Sequence, residues 1–76
     1  MEVKIGIAES PRELVVSSDQ TPDEVQKLVD EAFAASDGLL RLVDDKGRRY
    51  IVRTDQIAYV EIAPAERRVG FTLPTQ

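Results

Sequence analysis

Thr21-Pro22-Asp23-Glu24-Val25-Gln26-Lys27-Leu28-Val29-Asp30-Glu31-Ala32-Phe33-Ala34-Ala35-Ser36-Asp37-Gly38 carries every signal of a single amphipathic helix. Thr21 and Glu24 form a capping box: the Thr21 hydroxyl can accept from the N–H of Glu24 while the Glu24 carboxylate reaches back to the N–H of Thr21. Pro22 sits at the first helical position, where a missing N–H costs nothing. Asp23 and Glu24 favour the positive end of the helix dipole. Val25, Leu28, Val29, Ala32 and Phe33 recur at i, i+3, i+4, i+7 and i+8, one apolar stripe, with Gln26, Lys27, Asp30 and Glu31 on the wet side. Phe33, the one aromatic residue on that stripe, is expected to be its main anchor in the core. Gly38 is expected to stop the helix in a left-handed conformation.

Strand signals flank the helix on both sides. Before it, Glu2–Ala8 alternates, with Val3, Ile5 and Ile7 on one face and Glu2, Lys4 and Gly6 on the other. Glu9-Ser10-Pro11-Arg12 reads as a turn, and residues 13–17 as a second strand of an N-terminal hairpin. After it come four expected strands, Leu39–Val43, Arg48–Thr54, Ile57–Ile62 and Arg68–Leu73. Asp44-Asp45-Lys46-Gly47 is a hairpin loop with Gly47 at positive φ, Thr54-Asp55-Gln56 a tight corner, and Ala63-Pro64-Ala65-Glu66 a turn. The order β-β-α-β-β-β-β implies an α+β domain over residues 1–76, one helix packed on a meandering antiparallel sheet of five or six strands. The expected core is Val3, Ile5, Ile7, Leu14, Val16, Val25, Leu28, Val29, Phe33, Leu40, Leu42, Tyr50, Val52, Val60, Ile62, Val69 and Phe71.

Composition removes several chemistries. With no cysteine among the 76 residues, disulfides, thiolate metal sites and Cys nucleophiles are excluded. With no histidine, a Ser-His-Asp triad is excluded, and so are the commonest metal ligand and general base. The four glycines are too dispersed to cradle a phosphate. No apolar run approaches the roughly 20 residues that span a bilayer, and the opening residues lack the pattern of an export signal, so a cytoplasmic location with no membrane association is expected.

Each polar cluster also has a structural role that competes with a chemical one. Asp44 and Asp45, adjacent carboxylates, suit the hairpin loop better than a cation site. Ser17, Ser18 and Thr21 surround a helix N-terminus that Asp19, Asp23 and Glu24 make unattractive to an anion. No catalytic residue, cofactor or metal site follows from any of these, and the chain is not expected to be an enzyme.

Arginines form the most distinctive set. The net charge is −4, but residues 1–47 carry eleven acidic and five basic groups, whereas residues 48–76 carry three acidic groups and five arginines. Arg49, Ile51 and Arg53 alternate onto one strand face, Arg48 lies at the strand start, and Arg67 and Arg68 open the last strand. Arg forks suit phosphate or carboxylate recognition, and a mixed Arg/aliphatic face also suits contact with protein. Arg48, Arg49, Ile51, Arg53, Arg67 and Arg68 are therefore the candidate anion or partner contacts, with Tyr59 expected beside Ile51 on the adjacent strand.

The opening VKIGIAESPRELVV, the TPDEV helix start, YIVRTDQIAYVEI and VGF together resemble a small family of short actinobacterial proteins known only as a domain of unknown function, over nearly the whole chain. That resemblance implies a cytoplasmic setting and supplies no site residues. A fainter similarity is to Sm-like RNA-binding proteins, in which a helix precedes a strongly bent antiparallel sheet; it implies fold alone. The expected function is a non-catalytic interaction module that self-associates, with a two-fold dimer favoured and a further protein partner open. RNA or nucleotide binding through the Arg-rich face is the alternative, disfavoured by the acidic chain.

Overall fold

The computed structural model describes residues 1–64. Its elements are β1 (Glu2–Ile7), β2 (Glu13–Ser17), α1 (Pro22–Ala34), β3 (Leu39–Val43), β4 (Arg49–Arg53), a 3-10 turn (Thr54–Gln56) and β5 (Ile57–Ile62). The expected strand Arg68–Leu73, the site candidates Arg67 and Arg68 and the core candidates Val69 and Phe71 lie outside the described residues. Among the described residues no helix is long and apolar enough to cross a membrane.

Among the described residues the fold is α+β with one helix, as the alternation and the capping box require, but the five strands form two antiparallel sheets instead of one. One has the order β2-β1-β5 and the other is the β3-β4 hairpin. In the first, Val3 faces Val16 and Ile62, and Ile5 faces Leu14 and Val60. Two features divide the sheets. The helix separates β2 from β3, and the 3-10 turn redirects the chain after β4 so that β5 pairs with β1, not with its sequence neighbour. Across the β2–β3 gap, the Asp45 N–H donates to the Ser17 carbonyl at 2.8 Å.

The helix begins as its capping box requires. Thr21 Oγ1 accepts from the Glu24 N–H at 3.1 Å, and Glu24 Oε1 accepts from the Thr21 N–H at 2.9 Å. Its end differs from expectation. Ala35 already has extended backbone, and Gly38, at φ 62°, serves the turn into β3 instead of capping the helix.

Val3, Ile5, Val16, Val25, Ala32, Leu40 and Leu42 are buried, and Ile7, Leu14, Leu28, Val29, Tyr50, Val52, Val60 and Ile62 pack half-buried around them. Phe33 is a correction: it is 53% exposed and is not the helix anchor. At about 100° per residue, Val25 and Ala32 point within about 20° of each other, whereas Phe33 lies about 80° beyond Val25. Apolar spacing placed it on the stripe; helix geometry leaves it at the margin.

Candidate interaction surface

The loop closing the β3–β4 hairpin decides which side chains share a face. The Asp44 N–H donates to the Arg48 carbonyl at 2.8 Å, so the loop is one residue longer than Asp44–Gly47 and β4 starts at Arg49. The register that follows pairs Leu39 with Arg53, Arg41 with Ile51, and Val43 with Arg49. Directly opposed residues of an antiparallel pair lie on the same face. The outer face is therefore a checkerboard in which every arginine faces an aliphatic residue across the hairpin. Leu40, Leu42, Tyr50 and Val52 turn the other way, into the core and its margin.

Each arginine on this side of the molecule has a distinct environment. Arg41 Nη2 donates to Asp37 Oδ2 at 3.1 Å, and Arg53 Nη2 to Asp55 Oδ2 at 2.9 Å. Arg48 is off the strand; its Nε folds back to Asp44 Oδ2 at 2.7 Å. Of the four, only Arg49 has no carboxylate within ion-pair distance among the described residues. Between these forks Ile51 is 64% and Val43 51% exposed.

Asp44 is buried, and its two oxygens serve the loop: Oδ1 accepts from the N–H groups of Lys46 at 2.9 Å and Arg48 at 2.7 Å, while Oδ2 takes the guanidinium. Burial pushes its carboxyl pKa up, but the Arg48 guanidinium and the two N–H donors outweigh burial and hold it below the usual value. The same pairing raises Arg48. Asp37 is lowered first by the Leu39 N–H and then by Arg41. The Asp44 carboxylate thus does structural work in the loop, as local Asp hydrogen bonding favours.

Tyr59 does not join Ile51. It lies on β5 in the other sheet, opposite Gly6 of β1, and its hydroxyl donates to the Glu13 carboxylate of β2. That hydrogen bond, then partial burial and the charges of Glu13 and Glu61, raise its pKa.

Sequence reasoning missed Arg41, Leu39 and Val43, which complete the face, and the carboxylates that occupy its guanidiniums. A hairpin loop of four residues would have set Arg41 opposite Tyr50; the fifth residue moves every β4 side chain to the other face. Also unforeseen is a trough along the outer edge of β3, made of two adjoining hollows that share Leu28 and Arg41. One, about 220 Å³, opens between Ala32 and Leu39; the other, about 370 Å³, lies beside Val43 and Gln20.

A single helix set against two small antiparallel sheets defines the class, an α+β domain. The chain belongs to the family described as protein of unknown function (DUF3107), whose model matches residues 1–72. No curated protein matches it.

Proposed function

We propose that this domain is a non-catalytic, cytoplasmic interaction module that self-associates through its β3–β4 side, most simply as a two-fold dimer. The observation that carries this reading is the state of the outer face. Its exposed aliphatic side chains, Val43 and Ile51, sit among three guanidiniums, of which Asp37 and Asp55 pair two, those of Arg41 and Arg53. A phosphate-binding face needs unpaired positive charge, because its affinity comes from releasing counterions. A protein-contact face needs exposed apolar area with charges paired or at the rim. The second description fits these residues. The size of the domain supports the same reading: 76 residues without a disulfide bury a limited core, and association is a common supplement.

Sedimentation velocity of the full chain over a concentration series, at low and high salt, tests it. Association that survives added salt is expected. A species that stays monomeric throughout, or that forms only with RNA and dissolves in salt, contradicts the reading.

A further inference from the structure

We infer that two copies meet face to face across the outer side of the β3–β4 hairpin, about a two-fold axis that crosses the strands at the Arg41–Ile51 row. The inference rests on the self-association reading and specifies its geometry. In a two-fold contact the residue that meets a given position is met by it in return. For sheets packed in the aligned manner, about 10 Å apart, the axis either follows the strands or crosses them. An axis along the strands, between β3 and β4, exchanges the members of each opposed pair: Leu39 lies over Arg53 of the second copy, Ile51 over Arg41 and Val43 over Arg49. Every aliphatic side chain of the face then meets an arginine. An axis across the strands reverses the two ends of the hairpin instead. Leu39 then lies over Val43 of the second copy, Ile51 over Ile51 and Val43 over Leu39. The aliphatic residues cover one another and leave water together.

Charge selects the same axis. The carboxylates of the face sit at one end, since Asp37 precedes Leu39 and Asp55 follows Arg53. Arg49, the guanidinium of the face without a carboxylate among the described residues, sits at the other end beside Val43. Reversal brings Arg49 over the Arg53–Asp55 pair of the second copy, twice. Asp55 accepts from Arg53 through Oδ2, and among the described residues its Oδ1 has no donor, so that oxygen is open to Arg49. An axis along the strands leaves Arg49 over Val43, remote from both carboxylates. Arg41, which the crossing axis sets over Arg41 of the second copy, does not obstruct the contact. Asp37 draws its guanidinium toward the Leu39 end, and its side chain lines both hollows of the trough at the margin of the hairpin. The two heads therefore diverge to the rim, which gives the apolar centre and polar margin of a protein contact. A face about 17 Å long and two strands wide falls short of the roughly 800 Å² per partner of a standard interface, so the dimer is reversible and concentration-dependent.

Leu39 and Val43 stand about 13 Å apart along β3, too far for a methyl–methyl NOE within one chain. Mixing chains labelled only at leucine methyls with chains labelled only at valine methyls is expected to give a Leu39–Val43 NOE that neither sample gives alone. Ile51→Asp sets two carboxylates against each other in the contact. It is expected to give a folded monomer, because Ile51 is exposed in the single chain. Arg49→Glu is expected to weaken association about tenfold, two exposed ion pairs being lost at once, and Arg49→Glu combined with Asp55→Arg to recover it. A dimer without the Leu39–Val43 NOE overturns the axis. One that Ile51→Asp leaves intact overturns face-to-face contact, and unchanged association of Arg49→Glu overturns the charge pairing. A wild-type chain that sediments as a monomer throughout removes the self-association reading itself.

Discussion

The ring of Tyr59 on β5 fills the space above Gly6 on β1. A Cβ added at Gly6 would stand within 2.6 Å of three ring atoms, and the hydroxyl beyond them reaches Glu13 on β2. One side chain thus spans all three strands of its sheet. The glycine is needed for what lies above it, an aromatic ring compensating for a side chain the strand lacks. Gly6→Ala should push the ring off and cost about 1–3 kcal/mol, the range for overpacking a fitted site. In a Tyr59→Ala background the same change should be neutral or stabilising. Urea denaturation of the four chains of this double-mutant cycle measures the coupling; equal effects in both backgrounds would mean the contact carries no energy.

The two candidate anchors of the hydrophobic core separate sharply. Leu40 is fully buried, and Leu40→Ala should cost about 2–5 kcal/mol. Phe33→Ala, at an exposed position, should change stability by less than about 0.5 kcal/mol. Thermal melts of both variants decide between them. A large loss for Phe33→Ala would show that another part of the chain or a second copy covers the ring.

Phe33 also illustrates how far the sequence reads. The capping box, the alternation of Glu2–Ile7 and Glu13–Ser17 and the apolar stripe are local signals, and they hold because neighbouring residues enforce them, except at the margin of the stripe, where Phe33 is exposed. Whether β4 and β5 share a sheet is not local: it depends on the 3-10 turn at Thr54–Gln56 and on β1 offering β5 an edge. The outer face depends on one residue of loop length, since Asp44 closes the hairpin onto Arg48. Ile51, Arg49 and Arg53 were legible as one face because alternation along β4 fixes them; Arg41 and Val43 were not, because only register places them there.

Helix initiation rests on Thr21. Thr21→Ala removes the acceptor for the Glu24 N–H and should cost about 1 kcal/mol. Chemical denaturation measures it, and an unchanged midpoint would mean that the cap contributes nothing to the folded state.

Asp44 gives the domain an acid limb. Its folded pKa lies below the ordinary 3.8, so the stability it contributes is present above that value and is lost as pH falls through the folded pKa. Asp44→Asn cannot pair with the Arg48 guanidinium. It should be less stable than the wild type at neutral pH, and the gap should close as pH drops below 3.8. Stability curves of both chains between neutral and strongly acid pH test the sign. A gap that stays constant across the range would show that Asp44 acts through packing alone.

Static light scattering of the full chain at micromolar concentration tests self-association most directly. The dimer predicts a mass twice the 8.5 kDa of one chain. A wild-type mass of 8.5 kDa throughout a tenfold concentration range (about 1.4 kcal/mol of association driving force) would contradict it.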